Sequence, residues 1–213
     1  MVALRKKEAH LWDRDENDWY VEPKVCSLAL FSQEDFSGKV WDPACGMGNI
    51  LKSASFLGLR TLGTDLVNRA SACSIQMDFL EYQGGLDFDH IVSNPPFGIA
   101  ELFVQHALNT IPPNGKVAMI LPLVWMAGFS TKRDWLPNSP LAKICPISPR
   151  PSMPPGKVIE AGEKPGNGTK DFAWFIWQKG HSGKAEIEFL NTNGVKHLLK
   201  EMPDESSEFR NFA

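Results

Sequence analysis

Cysteine is scarce and scattered. Cys26, Cys45, Cys73 and Cys145 are the four in 213 residues, and no two form a Cys-x-x-Cys pair. That spacing predicts neither a zinc site nor a disulfide framework, and it suits a reducing compartment. The first residues, Met1 to Glu8, carry charge where a secretory signal carries an apolar core. Apolar runs also stop far short of the roughly 20 residues that a membrane-spanning helix needs. A soluble, cytoplasmic protein is expected. Positive charge is not in excess either: the net charge of -3 excludes a uniformly basic coat for nucleic acid. With no internal repeat and no separate linker, 213 residues that are 43% hydrophobic and 22% charged predict one domain with one substantial core.

The charge that is present is uneven. Residues 131–180 carry a net +4, against -5 over 1–130 and -2 over 181–213. Any nucleic-acid surface must therefore be local. Residues 1–18 read as a flexible charged arm that ends at Trp19-Tyr20.

Residues 24–31 predict a short amphipathic helix begun by Pro23, and 39–41 a first strand. The strand runs into Asp42-Pro43-Ala44-Cys45-Gly46-Met47-Gly48-Asn49. There the glycines permit a tight strand-to-helix turn and a close backbone approach to a ligand, with Cys45 read as a small packing residue. A second strand over 60–64 ends at Asp65, 23 residues beyond Asp42. That spacing is near the one expected of an acid that bonds ribose hydroxyls. A third, over 74–77, ends at Asp78-Phe79, where a carboxylate and a ring together suit an adenine.

The fourth strand, centred on Ile91 and Val92, ends at Asn94-Pro95-Pro96-Phe97. Two prolines hold the chain rigid there. The Asn94 carbonyl and a neighbouring backbone carbonyl can accept both hydrogens of a planar amino group, and Phe97 can stack on the ring that bears it. Further on, 100–111 reads as a helix with Phe103, His106, Ala107 and Ile111 inward, and 116–123 as a buried strand. This alternation implies a parallel, doubly wound α/β sheet. Residues 146–170 are rich in Pro and Gly and predict a long irregular loop, of which 149–170 is expected to be mobile until nucleic acid orders it. Strands are expected at 142–145, 171–177 and 185–190, and a short helix at 195–200.

Four strand ends in this order resemble the S-adenosylmethionine-dependent DNA N6-adenine methyltransferases, in the arrangement that places the cofactor motif before Asn-Pro-Pro-Phe. The resemblance spans roughly residues 20–177. It implies a class I methyltransferase (Rossmann-like) fold of seven strands, mostly parallel with an antiparallel last strand, and methyl transfer to the N6 amino group of adenine. Asn94, Pro95, Pro96 and Phe97 would be catalytic. Asp42, Pro43, Ala44, Gly46 and Gly48 would hold the methionine part of the cofactor, Asp65 the ribose, and Asp78 with Phe79 the adenine. Pro23 resembles the proline of the family's N-terminal motif, with Glu22 where threonine is usual. No metal is implied. A duplex adenine would have to flip out of its stack to reach Phe97. Family members usually add a target-recognition domain, which leaves that task to the basic residues Lys132, Arg133, Lys143, Arg150 and Lys157, to the arm or to a partner. Asn-Pro-Pro-Phe also occurs in enzymes that methylate amino groups of RNA or of protein glutamine, so those acceptors stay open, as does a non-catalytic cofactor-binding role.

Overall fold

The structure, a computed structural model, describes residues 18–67, 69, 73, 75–127, 134–163, 166 and 168–203. Its centre is four parallel strands: β1 (Lys39–Asp42), β2 (Arg60–Asp65), β4 (His90–Ser93) and β5 (Lys116–Pro122). Their residues alternate between two apolar layers. Trp41, Ile91, Val117, Met119 and Leu121 face one, whereas Val40, Val92, Ala118 and Ile120 face the other. Helix α1 (Lys24–Gln33) and helix α2 (Asn49–Phe56) cover the second layer through Cys26, Leu30 and Ile50. Helix α3 (Ala100–Thr110) covers the first through Phe103, Val104 and Ala107. Burial on both faces is why β5 reads as a nearly unbroken apolar run.

β3 (Ile75–Gln76) lies outside β2, and the sheet continues past β5 through β7 (Phe172–Gln178) to β6 (Leu141–Ser148). β7 is antiparallel to both of its neighbours. The order from β3 is β3-β2-β1-β4-β5-β7-β6. β1 is thus flanked by β2 on one side and β4 on the other, and the crevice outside the carboxyl ends of β1 and β4 is the switch point where open α/β sheets bind ligands.

The sheet has nine strands and not seven. The edge strand expected at 185–190 is two short pieces, β8 (Glu186–Ile187) and β9 (Leu190–Asn191), each parallel to β6. Between them Glu188 turns to Lys143 Nζ at 2.8 Å, which interrupts the run. Residues 195–200 form no α-helix. Short 3₁₀ turns at Thr192–Val195 and Leu198–Lys200 stand there, with Leu199 40% exposed, because so short a segment with little to bury gains no packing to hold a helix. The region 146–170 is less irregular than its composition implies. β6 runs on through Ser148, helix α4 spans Gly156–Glu160, and Met153 to Gly156 are buried against the rest of the protein. No helix among the described residues is long and apolar enough to cross a membrane.

Candidate active site

A cavity of about 340 Å³ opens at the switch point, and Glu22, Asp42, Gly46, Asp65, Asp78 and Asn94 are in its wall. Asp42 ends β1 and is 1% exposed, its Oδ1 accepting from Ser93 Oγ at 2.7 Å and from Ala44 N at 3.2 Å. The Ser93 bond ties the ends of β1 and β4 together. Burial pushes the Asp42 carboxyl well above the usual range, against the pull of Ser93, and the nearby charge of Glu22 adds to the rise. Pro43 and Ala44 also line the wall. Gly46 and Gly48 take left-handed backbone, with φ of +49° and +76°, and Gly48 caps α2. A side chain on Gly46 would also sit 3.1 Å from Trp19 Nε1.

Asp65 ends β2 and organises this corner. Its Oδ2 accepts from Gly46 N at 2.8 Å, and its Oδ1 accepts from Val67 N and from Arg69 Nη1, both at 2.9 Å. The Arg69 guanidinium in turn lies 4.5 Å over the Trp19 ring. Sequence reasoning did not find Arg69, which follows Asp65 in a stretch without periodicity. Asp78 accepts from Leu80 N at 2.9 Å and caps the turn Phe79–Glu81. Phe79, expected to stack on an adenine, is among the residues of the cavity wall. Its ring is 2% exposed and packed among Trp41, Phe103 and His106, so only its margin reaches the cavity, and the aliphatic Leu66 and Leu80 supply apolar wall beside Asp78. A correction concerns cysteine. Cys45 and Cys73 form a disulfide across 28 residues, because the turn after β1 and the segment after β2 meet at the same sheet end, a proximity that sequence spacing hides.

On the other side of the cavity, residues 18–22 lie across the end of β4. Asn94 Nδ2 donates to the Tyr20 carbonyl and to Glu22 Oε2, each at 2.7 Å, and Gly98 N donates to Asp18 Oδ2 at 2.5 Å. Asp18 is therefore seated and not part of a free arm. The strap is fastened from behind: Val21 N donates to Pro154 O and Gly156 N to Trp19 O, both at 2.9 Å. With Nδ2 doubly engaged, Asn94 Oδ1 is buried and has no partner among the described residues. Glu22 is 6% exposed, and burial lifts its carboxyl to about 7.

Phe97 is not where a flipped base was expected to meet it. Tyr20 is stacked on it at 5.7 Å and 13°, Phe172 packs nearby at 5.8 Å, and of these three rings Tyr20 is the one in the cavity wall. Pro96 lines the wall, whereas Pro95 is buried behind it. Pro23 serves as the cap residue of α1, and its neighbour Glu22 faces the cavity. Glu22, Tyr20 and Ser93, like Arg69, are part of this arrangement and were not singled out from the sequence. The one signal was Glu22 standing in place of threonine.

Lys132 and Arg133 lie outside the described residues. Lys157 is exposed on α4, and Arg150 Nε donates to Asp171 Oδ1 at 2.7 Å. Lys143 is committed elsewhere: it lies on β6 and pairs with Glu34 and Glu188, whose bonds raise its pKa.

No family model and no curated protein matches the sequence. Solved structures do match the fold. A Pyrococcus horikoshii protein designated an RNA methyltransferase aligns with a TM-score of 0.53 at 17% identity, over 73% of this chain and 83% of its own. The M protein of the type I restriction enzyme EcoKI aligns with 0.52 at 16%, over 92% of this chain, which spans 53% of that protein. An Agrobacterium tumefaciens protein designated an O-methyltransferase aligns with 0.50 at 16%, over 80% and 86%. At such identities the likeness carries the fold, which is of the class I methyltransferase, Rossmann-like type.

Proposed function

We propose that this protein transfers a methyl group from S-adenosylmethionine to an exocyclic amino group, and that the group is N6 of adenine in DNA. One observation carries the reading: Asn94 lines the cavity, its Nδ2 is held by two bonds, and its buried Oδ1 has no partner among the described residues. A buried acceptor without a donor costs about 1–3 kcal/mol, and an amino group entering the cavity would supply the N–H.

The cavity residues fit the cofactor. Asp42 and Glu22 are buried carboxylates pushed upward by desolvation, a setting that a cation relieves. Gly46 and Gly48 let the backbone approach a ligand closely, and Asp65, bonded to the turn, retains carboxylate lone pairs for hydroxyl donors. Asp78 and Leu80 form the far wall. When bound, S-adenosylmethionine supplies an electrophilic methyl carbon, whose C–S bond breaks as the N–C bond forms while the amino nitrogen releases one proton. An exocyclic amine conjugated to its ring is a poor nucleophile. Asn94 Oδ1, by accepting from it, favours a tetrahedral nitrogen with its lone pair free to attack, and the rigid Pro95-Pro96 backbone keeps that acceptor in place.

Support for DNA comes from the fold shared with the restriction-enzyme M protein and from the net +4 over residues 131–180. A duplex adenine has to leave its stack to reach a cavity of this depth, and Tyr20 on Phe97 offers the flipped ring a surface. The test is labelled methyl transfer to DNA, RNA and protein side by side, followed by nucleoside analysis. N6-methyladenine in DNA is expected, abolished by Asn94→Ala, with cofactor affinity kept within about threefold in that variant. Label confined to RNA or protein would move the acceptor, and an active Asn94→Ala enzyme would remove Asn94 from the chemistry.

A further inference from the structure

Asn94 serves an amine in only one of its two amide orientations. With Oδ1 toward the cavity it accepts an N–H; turned by 180°, it would present a donor to a donor. The two ends of an amide have nearly the same size, so packing does not choose between them. Partners do. The Tyr20 carbonyl is a permanent acceptor, and Glu22 Oε2 is the second, each 2.7 Å from Nδ2. Glu22 is itself fixed, since its backbone carbonyl accepts from Asn49 Nδ2 at 2.8 Å.

We propose that Glu22 is a positioning residue for the methyl transfer, an ionised acceptor that keeps Asn94 Oδ1 turned toward the amine. This rests on the reading of the site given above. The groups that face Glu22 are Asp42 on β1, with Asp65 on β2 behind it, and the buried Cys26 thiol on α1, which burial and the charge of Glu22 push upward. Arg69, the cation in the wall, is paired with Asp65. Burial lifts Glu22 to about 7, with its own backbone and Asn94 pulling the other way. Once protonated, the carboxyl owns an O–H that can donate to Oδ1 of a turned amide. The two orientations then approach each other in energy, and Tyr20 alone favours the active one.

Turnover at saturating cofactor and acceptor should accordingly show an acid limb, which the positive charge of the bound cofactor moves below the value of the free protein. Glu22→Gln, which also offers both a donor and an acceptor, should be flat across that limb and about tenfold slower than wild type at pH 8. Glu22→Asp should restore the acid limb. If Glu22→Gln keeps the wild-type limb and rate, or if the loss lies wholly in the KM for cofactor, the proposal is overturned and Glu22 is structural or a cofactor ligand. The same coupling can be read without turnover. The Asn94 side-chain NH₂ signals in nitrogen-edited NMR, assigned by their loss in Asn94→Ala, should shift with pH near 7 in the wild type and hold still in Glu22→Gln. Signals that stay still in the wild type sink the inference even if the acceptor proves to be another amine. A wild-type enzyme silent on every acceptor with signals that do titrate would instead sink the proposed function and leave the coupling standing.

Discussion

At the scale of single residues, chemistry and stability pull against each other at Glu22. Its folded pKa, about 7, exceeds the ordinary 4.5, so between those values the folded protein binds a proton more tightly than the unfolded chain does. The associated stability is full below about 4.5 and is lost as pH rises through 7. A rise from 4.5 to about 7 amounts to roughly 3 kcal/mol. Urea unfolding of the cofactor-free protein at pH 5 and pH 8 should show this decline, and Glu22→Gln, neutral throughout, should escape it and be the more stable of the two at pH 8. An equal decline in the variant would assign the pH dependence to Asp42, which burial pushes in the same direction. Asn94 was legible in the sequence because prolines and an aromatic follow it at a strand end. Its two anchors were not, since Tyr20 and Glu22 lie more than 70 residues away and meet it only after the sheet is assembled.

Among elements, legibility followed local pattern. β5 and β7 announce themselves through apolar runs buried on both faces, whereas the strands expected at 74–77 and 185–190 shrink to β3, β8 and β9 of two residues each, whose bounds are set by register with a neighbour. The same limit hid the strap of residues 18–22, which is held by bonds to three distant segments, at Asn49, 94–98 and 154–156. Gly156 is where it can be tested. A Cβ there would lie 2.2 Å from the Trp19 ring, so Gly156→Ala must displace Trp19, and with it the chain that carries Tyr20 and Glu22. We expect methyl transfer to fall about ten- to hundredfold, the order that a displacement near 1 Å produces. The sheet core contains none of residues 18–20, so thermal unfolding should shift by only a few degrees. Hydrogen exchange at the Val21 amide, which donates to Pro154 O, should quicken. Unchanged exchange and an unchanged rate in the variant would mean that Trp19 does not fix the strap.

Across the whole molecule the proposed function requires a protein of net charge -3 to hold an anionic duplex. The basic excess over 131–180 overstates what is available, since Lys143 is paired with Glu34 and Glu188, Arg150 with Asp171, and Lys179 Nζ donates to Ile111 O at 2.7 Å. Lys157 and Lys170 remain exposed. The other end of the stretch points toward the site: Asp134 and Trp135 share with Gly98, Ile99 and Leu102 a depression of about 750 Å³, and Gly98 and Ile99 also line the cavity itself. Lys132 and Arg133, which lie outside the described residues, immediately precede Asp134 in sequence, and they are the pair of proposed phosphate contacts to substitute first. Each phosphate contact contributes close to one unit of slope to the salt dependence of binding, so replacing both by Ala should lower duplex affinity and flatten that slope by about 2. Arg150→Ala should move it by less than half a unit, because Asp171 already offsets that charge. Fluorescence anisotropy with a labelled duplex across a range of salt concentrations measures both, with cofactor affinity as the control for folding. A full slope in the Lys132/Arg133 double variant, together with a flattened one in Arg150→Ala/Lys157→Ala, would place the phosphate backbone along the opposite flank, over α4, and would put the exposed Lys170 next in line for substitution.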